Sequence, residues 1–355
     1  MVFHIEYPRI IPARKPEGHE PRAPRYTLRW EKPVAGMVSD YFAIQGNDLT
    51  WDDERAFFDR VTAAFAAPDG PGAHEIMRFR DEAGETNAVV VGYWTDPTAN
   101  GRWFASSELS SWLAGDERLS DPAIGYWRET ISVPYDRHET IYSAPWYRIG
   151  LARLPDSAIV SMTTNGYFGA ARDRLPISAI DPLESPLRNQ PPVAKDVSSR
   201  GRRLRVMTPQ NLCALRSGQY WEGAGKEQAD DYYESLQPKL MRGMDFLTEH
   251  KAETGTLSLR VMTNVGPGGQ GRSETSVLAY FLSLEQLEAW AKSHETHLAI
   301  YGHAIAANRK FKEKREVVTW HEVFILPAAS SFEYINCHAR TGFLPFFTLF
   351  EEAGR

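Results

Sequence analysis

The 355-residue sequence has few cysteines, no long apolar run and no excess of positive charge. Its two cysteines, Cys213 and Cys337, are far apart and form no C-x-x-C motif, which excludes a disulfide-stabilised scaffold and predicts a reducing compartment. With 40 Lys and Arg against 46 Asp and Glu, the formal charge is −6, so nucleic acid is not an expected partner. Residues 343–350, among the most apolar, are far fewer than the roughly 20 needed to span a bilayer, and the N-terminus lacks the apolar core of a signal peptide. We therefore expect a cytoplasmic protein without a membrane partner.

The composition is that of a globular chain with a substantial core. Hydrophobic residues make up 42% and charged residues 24%, and the length allows one large or two average domains. Aromatic residues reach 12%, which weakly favours a cavity for a flat apolar ligand.

Prolines divide the chain into segments of a single expected domain. Six prolines between Pro8 and Pro33 lie among basic residues, so residues 1–33 are predicted to form an extended arm. A second proline-rich stretch, residues 181–200, is interpreted as a linker between two halves, residues 34–180 and 201–330. Residues 331–355 form a C-terminal segment.

Hydrophobic periodicity predicts the order β-α-β-β-α-β in each half, which is the ferredoxin-like order. In the first half the predicted strands are residues 38–44, 75–80, 87–94 and 127–133, and the helices are residues 52–65 and 99–113. In the second half the strands are residues 211–216, 256–263, 275–282 and 317–326, and the helices are residues 227–250 and 284–307. The fold class is therefore expected to be α+β.

Local matches indicate that the two halves are copies of one unit. Tyr93 precedes Trp103 by the same interval as Tyr280 precedes Trp290. The segment Trp-Arg-Glu-Thr-Ile-Ser-Val-Pro, residues 127–134, aligns with Trp-His-Glu-Val-Phe-Ile-Leu-Pro, residues 320–327, so that His321 takes the position of Arg128. We expect the second half to hold the chemistry.

Histidines on apolar faces are the main candidates for a site. The helix predicted over residues 284–307 has an apolar stripe that includes His294 and His297. A buried imidazole without partners costs on the order of 1 to 3 kcal/mol, so these residues need a hydrogen-bond network, the commoner case, or a metal. His321 lies on the apolar face of its strand and could face the same cavity as His297, although spacing alone does not establish this.

Other motifs favour structural interpretations. The His294-Glu-Thr-His297 spacing is i, i+3 rather than the i, i+4 spacing of zinc hydrolases, and the glycine-rich residues 266–271 are interpreted as a hairpin turn. His138-Glu-Thr is placed on a surface segment. Arg172-Asp-Arg174 is either functional or a solvated turn with a surface ion pair. Ser217, placed at a strand end, either faces a cavity or caps a turn.

The chain resembles the haem-containing aldoxime dehydratases, in particular the phenylacetaldoxime dehydratase branch, from about Tyr41 onward. The matching motifs are Val91-Gly-Tyr-Trp94, Gly166-Tyr-Phe-Gly169, Arg172-Asp-Arg174-Leu-Pro-Ile-Ser178, Asp181-Pro-Leu-Glu-Ser-Pro-Leu187, Leu215-Arg-Ser-Gly218, Thr296-His297-Leu-Ala-Ile-Tyr-Gly302, Trp320-His321-Glu-Val323, Tyr334-Ile-Asn-Cys-His338 and Thr341-Gly-Phe-Leu-Pro-Phe-Phe347.

The resemblance implies a dimeric α+β barrel-type fold built from two ferredoxin-like halves, with haem b in an apolar cavity and a homodimer as the assembly. It implies that His297 is the axial ligand of the haem iron, that His321 is the catalytic acid and base, and that Arg174 and Ser217 hold the substrate hydroxyl. The implied reaction is the dehydration of aldoximes, aryl-alkyl such as phenylacetaldoxime or alkyl, to nitriles, with the oxime nitrogen bound to ferrous haem. The alternatives are a peroxidase or chlorite-dismutase-like haem enzyme on the same barrel, and a barrel that binds haem or a small ligand without chemistry.

Overall fold

The computed structural model describes residues 2–188 and 190–351. The strands in these ranges are β1 (Arg25–Trp30), β2 (Gly36–Gly46), β3 (Ala73–Arg80), β4 (Thr86–Trp94), β5 (Ile124–Pro134), β6 (His138–Tyr142), β7 (Ser157–Met162), β8 (Arg203–Met207), β9 (Cys213–Tyr220), β10 (Thr256–Val265), β11 (Gly271–Phe281), β12 (Val318–Ile325), β13 (Ser331–Ile335) and β14 (Thr348–Glu351). The α-helices are α1 (Trp51–Phe65), α2 (Pro97–Ser106), α3 (Glu108–Ala114), α4 (Ala170–Arg174), α5 (Lys226–Asp231), α6 (Gln237–Glu249), α7 (Lys251–Thr254), α8 (Leu284–Ser293) and α9 (Glu295–Phe311).

All of these strands belong to one antiparallel sheet in a mixed α/β structure. The strand order is β14-β8-β13-β5-β2-β4-β3-β10-β11-β9-β12-β6-β1-β7. The first half contributes the block β5-β2-β4-β3 and the second half the block β10-β11-β9-β12. The blocks join where β3 pairs with β10, through Thr263 opposite Arg78 and Asn264 opposite Met77.

The sheet has apolar residues on both faces because one face lies inside the molecule and helices cover the other. In β2, Met37 and Tyr41 belong to the large cluster between the two halves, whereas Val38 and Phe42 pack against α1 and α2. In the second half, β9 to β12 pack their outer face against α6 and α8. None of the helices in the described ranges combines the length and the apolar character that a membrane span requires.

Buried ion pairs connect the two halves inside the molecule. Arg216 of β9 pairs with Glu75 of β3. Arg260 of β10 binds both carboxylate oxygens of Glu129 of β5 at 2.6 Å. All four side chains are at most 5% exposed, so each pair must be matched in charge and geometry for the halves to pack.

The sequence placed the repeated strands and helices of the two halves within a few residues, but β6, β7 and β8 had no predicted counterpart, and other parts differ. The arm is not wholly irregular, because its residues 25–30 form β1, which pairs with β6 and β7. Residues 331–351 are not a separate tail, since β13 and β14 pair with β5 and β8. The two long helices predicted over residues 99–113 and 284–307 each break into two, at Ser107 and at His294.

Candidate functional site

The outer face of the second half brings two of the predicted site residues together. On β12, Trp320 and Phe324 point into the molecule, while His321 and Val323 point outward beneath the helices. Ser217 of β9 lies directly opposite His321 in the ladder. Side chains at directly opposite positions share a face, with Cβ atoms about 4.5 to 5.5 Å apart. Ser217 lies within β9, not at its end, because the strand continues to Tyr220.

The hydroxyl of Ser217 is available to a ligand. It makes no hydrogen bond to another residue of the described ranges, and the side chain is partly exposed. Its apolar neighbours on this face are Val277, opposite it on β11, and Leu215, and its polar neighbours are His321 and Gln219. A hydroxyl in such surroundings is a hydrogen-bonding group on a partly apolar wall.

A buried carboxylate and an arginine lie beside His321. Glu139 of β6 is two residues from Ile141, the partner of His321 in the ladder, and shares the face of His321. The Oε1 atom of Glu139 lies 2.9 Å from Nε2 of His321, and Arg174 of α4 donates from Nε to Oε2 of Glu139. Nη2 of Arg174 lies 3.1 Å from the same Nε2. Glu139 is fully buried and Arg174 is 7% exposed, so Arg174 belongs to a buried network and not to a solvated turn.

An ionised Glu139 sets the hydrogen bonding of this network. Burial raises the pKa of Glu139, but Arg174 and His321 outweigh that effect and lower it to about 2. Nε2 of a neutral imidazole carries either a proton or a lone pair, so it cannot donate to Glu139 and accept from Arg174 at once. An ionised Glu139 is a pure acceptor, so it orients the ring through the contact of its Oε1 with Nε2 of His321.

The proline-rich arm holds α4 in place above β6. The backbone N–H groups of Arg14 and Lys15 donate to the carboxylate of Asp173, at 2.9 Å and 3.0 Å. Gly169, before α4, has φ 96° and lies against Arg14, where a Cβ would come within 2.7 Å of the arginine side chain. The arm thereby fixes the position of Arg174.

His294 and His297, predicted on one helical stripe, have different surroundings. His294 ends α8 and caps α9, since its Nδ1 accepts from the backbone N–H of Thr296. Its ring stacks on Phe246, with the ring centroids 3.7 Å apart. His294 is thus a capping residue, which accounts for it without a ligand.

His297 lies in the first turn of α9, and its ring packs edge-on against Trp290. Its Nδ1 is buried and has no hydrogen-bond partner among the described residues. Burial is the main cause that lowers the pKa of His297 to about 4; the Ala291 carbonyl opposes this effect and His321 adds to it. The imidazole is therefore neutral at pH 7.

Sequence reasoning missed Glu139, which it placed on a surface segment. The signal available was the alternation in His-Glu-Thr-Ile-Tyr, residues 138–142, which is typical of a strand. In the first half, Arg128 pairs with Asp40 at 2.9 Å, so the position equivalent to His321 carries a structural ion pair.

A model of the family described as haem-containing dehydratase matches residues 40–343. The chain belongs to the haem-containing dehydratase family. The resemblance read from the motifs is confirmed, and the molecule is a dehydratase, a lyase that uses haem.

Similar proteins match this dehydratase along almost its whole length. An aliphatic aldoxime dehydratase of Pseudomonas chlororaphis is 33% identical over 96% of each chain. A phenylacetaldoxime dehydratase of Bacillus sp. (strain OxB-1) is 32% identical over 95% of each chain. A crystal structure of an aldoxime dehydratase has a TM-score of 0.87 at 31% identity, covering 96% of this chain and 95% of that one. A structure of an aldoxime dehydratase in complex with butyraldoxime has the same TM-score at 30% identity, covering 96% and 93%.

The residues present fit a haem dehydratase. A neutral imidazole is the usual protein ligand of haem iron, and His297 combines that state with a buried ring nitrogen that lacks a partner. The second half also supplies an apolar wall from α8 and β9 to β12.

Proposed function

We propose that this dehydratase converts aldoximes, R-CH=N-OH, to nitriles and water. The observation that carries the proposal is the network of Glu139, Arg174 and His321, together with the buried Nδ1 of His297, which has no hydrogen-bond partner among the described residues. The similar proteins support it, because each is named as an aldoxime dehydratase.

His297 is the proposed axial ligand of haem. When bound, ferrous haem supplies an iron centre that takes the oxime nitrogen and weakens the N–O bond. The role of His297 is to offer one neutral ring nitrogen to the metal.

His321 is the proposed acid and base. The hydroxyl of an oxime leaves readily only as water, so a proton must reach its oxygen, and the hydrogen on carbon must then be removed. His321 can donate from its imidazolium form and take up the second proton when neutral. Glu139 balances the positive charge of His321 in its imidazolium form and holds the ring in the same orientation when the imidazole is neutral.

Ser217 and Arg174 have the proposed task of positioning. Ser217, opposite His321 and without another partner, donates to or accepts from the oxime hydroxyl. Arg174 cannot give up its proton at neutral pH, so it orients Glu139 and His321 and supports proton delivery through its charge.

The substrate proposed is an aldoxime with an apolar group, aryl-alkyl such as phenylacetaldoxime or alkyl. The wall around Ser217 and His321 supports this, because Leu215, Val277 and Val323 are its neighbours. An apolar group displaces water from such a wall, which also strengthens the charge interactions of His321.

The finer description of the fold is also proposed. The blocks β5-β2-β4-β3 and β10-β11-β9-β12 have the strand order of ferredoxin-like units, which supports an α+β barrel of two such halves. A homodimer is proposed as the assembly, and sedimentation equilibrium tests it.

The test separates the two histidines. His297→Ala is expected to lose haem, whereas His321→Ala is expected to keep haem and lose turnover by about 10² to 10⁴. Haem content is measured by absorption and nitrile formation from phenylacetaldoxime by chromatography under anaerobic reducing conditions. His294→Ala is the matched control, because His294 caps the same helix and should retain both haem and activity. An active, haem-replete His297→Ala protein would contradict the assignment.

A further inference from the structure

Two arginines near the carboxyl-terminal half of α9 lack acidic partners. Arg315 precedes β12 and donates to Oδ1 of Asn308 at 2.8 Å and to Oγ1 of Thr319 at 3.4 Å. Its Nε is buried without a hydrogen-bond partner in the described part of the chain. Arg25, in the first position of β1, donates to the carbonyl of Pro24 at 2.8 Å. Within residues 2–188 and 190–351, no carboxylate lies within ion-pair distance of either guanidinium.

The two guanidinium groups act on each other. Burial and, to a smaller extent, the positive charge of Arg25 together lower the pKa of Arg315 to about 10. Burial also lowers the pKa of Arg25. Asp231 opposes the effect on Arg315, but its carboxylate lies 3.2 Å from Nε2 of His303 and pairs with that residue. Two neighbouring, partly buried cations without a bound anion are unfavourable, so the arrangement favours an anionic ligand.

Arg25 begins β1 and Arg315 precedes β12, so both lie toward the same end of the sheet face that carries His321. Thr319, the partner of Arg315, is two residues before His321 on the same face of β12, about 7 Å along the strand. Arg25 precedes Tyr26, which pairs with Tyr142, the partner of Trp320, so β1 brings Arg25 to the level of Thr319. Tyr301, one helical turn after His297, raises the pKa of Arg25 through its charge.

We propose that Arg25 and Arg315 bind the two propionate carboxylates of haem. The planar fork of a guanidinium matches a carboxylate with two parallel hydrogen bonds. Haem carries two carboxylates on one edge, and two arginines at one end of the cleft can neutralise both. A single axial histidine leaves the macrocycle free to rotate about the iron-nitrogen bond, so the arginine pair sets its orientation. This inference rests on the haem assignment of the proposed function and not on the reaction.

The test compares haem with its dimethyl ester, in which both carboxylates are neutral. The full-length apoprotein is titrated with each compound, and Kd is measured from the Soret band and from the quenching of tryptophan fluorescence. Arg25→Gln and Arg315→Gln are each expected to weaken haem binding by about tenfold or more, the usual effect of losing a charge-assisted hydrogen bond. Neither substitution should change the affinity for the ester.

Arg29→Gln is the matched control, because Arg29 is a partly buried arginine on the same strand that bonds Thr27 and the Leu28 carbonyl. It should bind haem as the wild type does. Arg315→Lys should recover part of the affinity for haem, since it keeps the charge and loses the fork. If a variant lost affinity for haem and for the ester equally, the arginine would have a structural role and the proposal would be overturned. The proposal would also be overturned if the wild type bound haem and the ester with the same affinity. Because the readout is affinity, a failed aldoxime assay would contradict the proposed function alone.

Discussion

At the scale of single residues, the charge of Glu139 matters more than its shape. Glu139→Gln keeps the side-chain volume and removes the charged acceptor that contacts Nε2 of His321 and binds Arg174. We expect kcat to fall by about 10 to 100-fold, the usual effect of removing a group that orients a functional histidine. The haem content should stay unchanged, since Glu139 lies on β6 and His297 on α9. Steady-state nitrile formation and the Soret absorbance measure the two quantities.

The control for this substitution is Glu288→Gln. Glu288 pairs with Arg172 of α4 at 2.7 Å, two residues from Arg174, so the variant also removes one acidic partner of an α4 arginine. Its kcat should stay near the wild-type value. A normal kcat in Glu139→Gln, or an equal loss in both variants, would contradict the role given to Glu139.

The sequence predicts four residues of the candidate site but not Glu139. His297 and His321 follow from apolar faces, and the roles of all four, with Arg174 and Ser217, follow from the family resemblance. Glu139 was placed on the surface, because its burial results from the pairing of β6 with β12, more than 180 residues later. No local pattern encodes such a pairing.

At the scale of elements, the contact between α6 and α9 fixes the helix that carries His297. A Cβ at Gly243 of α6 would lie 3.2 Å from Cδ1 of Ile300 and 3.5 Å from the Trp290 ring. Gly243→Val is therefore expected to displace α9 and to weaken haem binding by about tenfold, the effect of about 1.4 kcal/mol. Haem titration of the full-length apoprotein measures the change, and circular dichroism checks that the helices remain.

Gly302→Ala tests whether this effect belongs to the helix contact. Gly302 lies on the exposed side of α9, and a Cβ there meets no atom within 4 Å. Replacing it should stabilise the helix by about 0.5 to 1 kcal/mol and leave haem affinity unchanged. If Gly243→Val bound haem as tightly as Gly302→Ala, the contact would not control the position of His297.

Periodicity located elements better than it located their ends. Apolar spacing continues from α8 into α9, so residues 284–307 were predicted as one helix, but His294 has ψ 134° and caps a new helix. Likewise, β9 continues past Gly218. The absence of a side chain at Gly218 leaves room there for the ring of Trp320 and the Thr275 carbonyl. Both outcomes depend on tertiary contacts that a sequence pattern does not contain.

At the scale of the whole molecule, the two halves repeat their backbone but not their buried charges. Glu129 and Glu322 hold equivalent positions in the repeat. Glu129 binds Arg260 and accepts from the hydroxyls of Tyr280 and Tyr334. Glu322 accepts at one oxygen from the backbone N–H of Leu151, and its other oxygen has no hydrogen-bond partner in the described ranges. Burial raises the pKa of Glu322 from 4.5 to about 7, although the charge of Arg216 lowers it.

This raised pKa makes the stability of the molecule depend on pH. The folded protein holds a proton on Glu322 that the unfolded chain releases near pH 4.5, so the free energy of unfolding falls as pH rises from about 4.5 to about 7. Glu322→Gln cannot titrate, so its stability relative to the wild type should rise across this range by up to about 3 kcal/mol. Urea unfolding at pH 5 and pH 8 measures the difference.

Glu129→Gln, the matched variant, should lose about 3 to 5 kcal/mol at both pH values because it leaves Arg260 buried without its partner. If the free energies of unfolding of the wild type and of Glu322→Gln fell by the same amount between pH 5 and pH 8, the titrating group would be another residue.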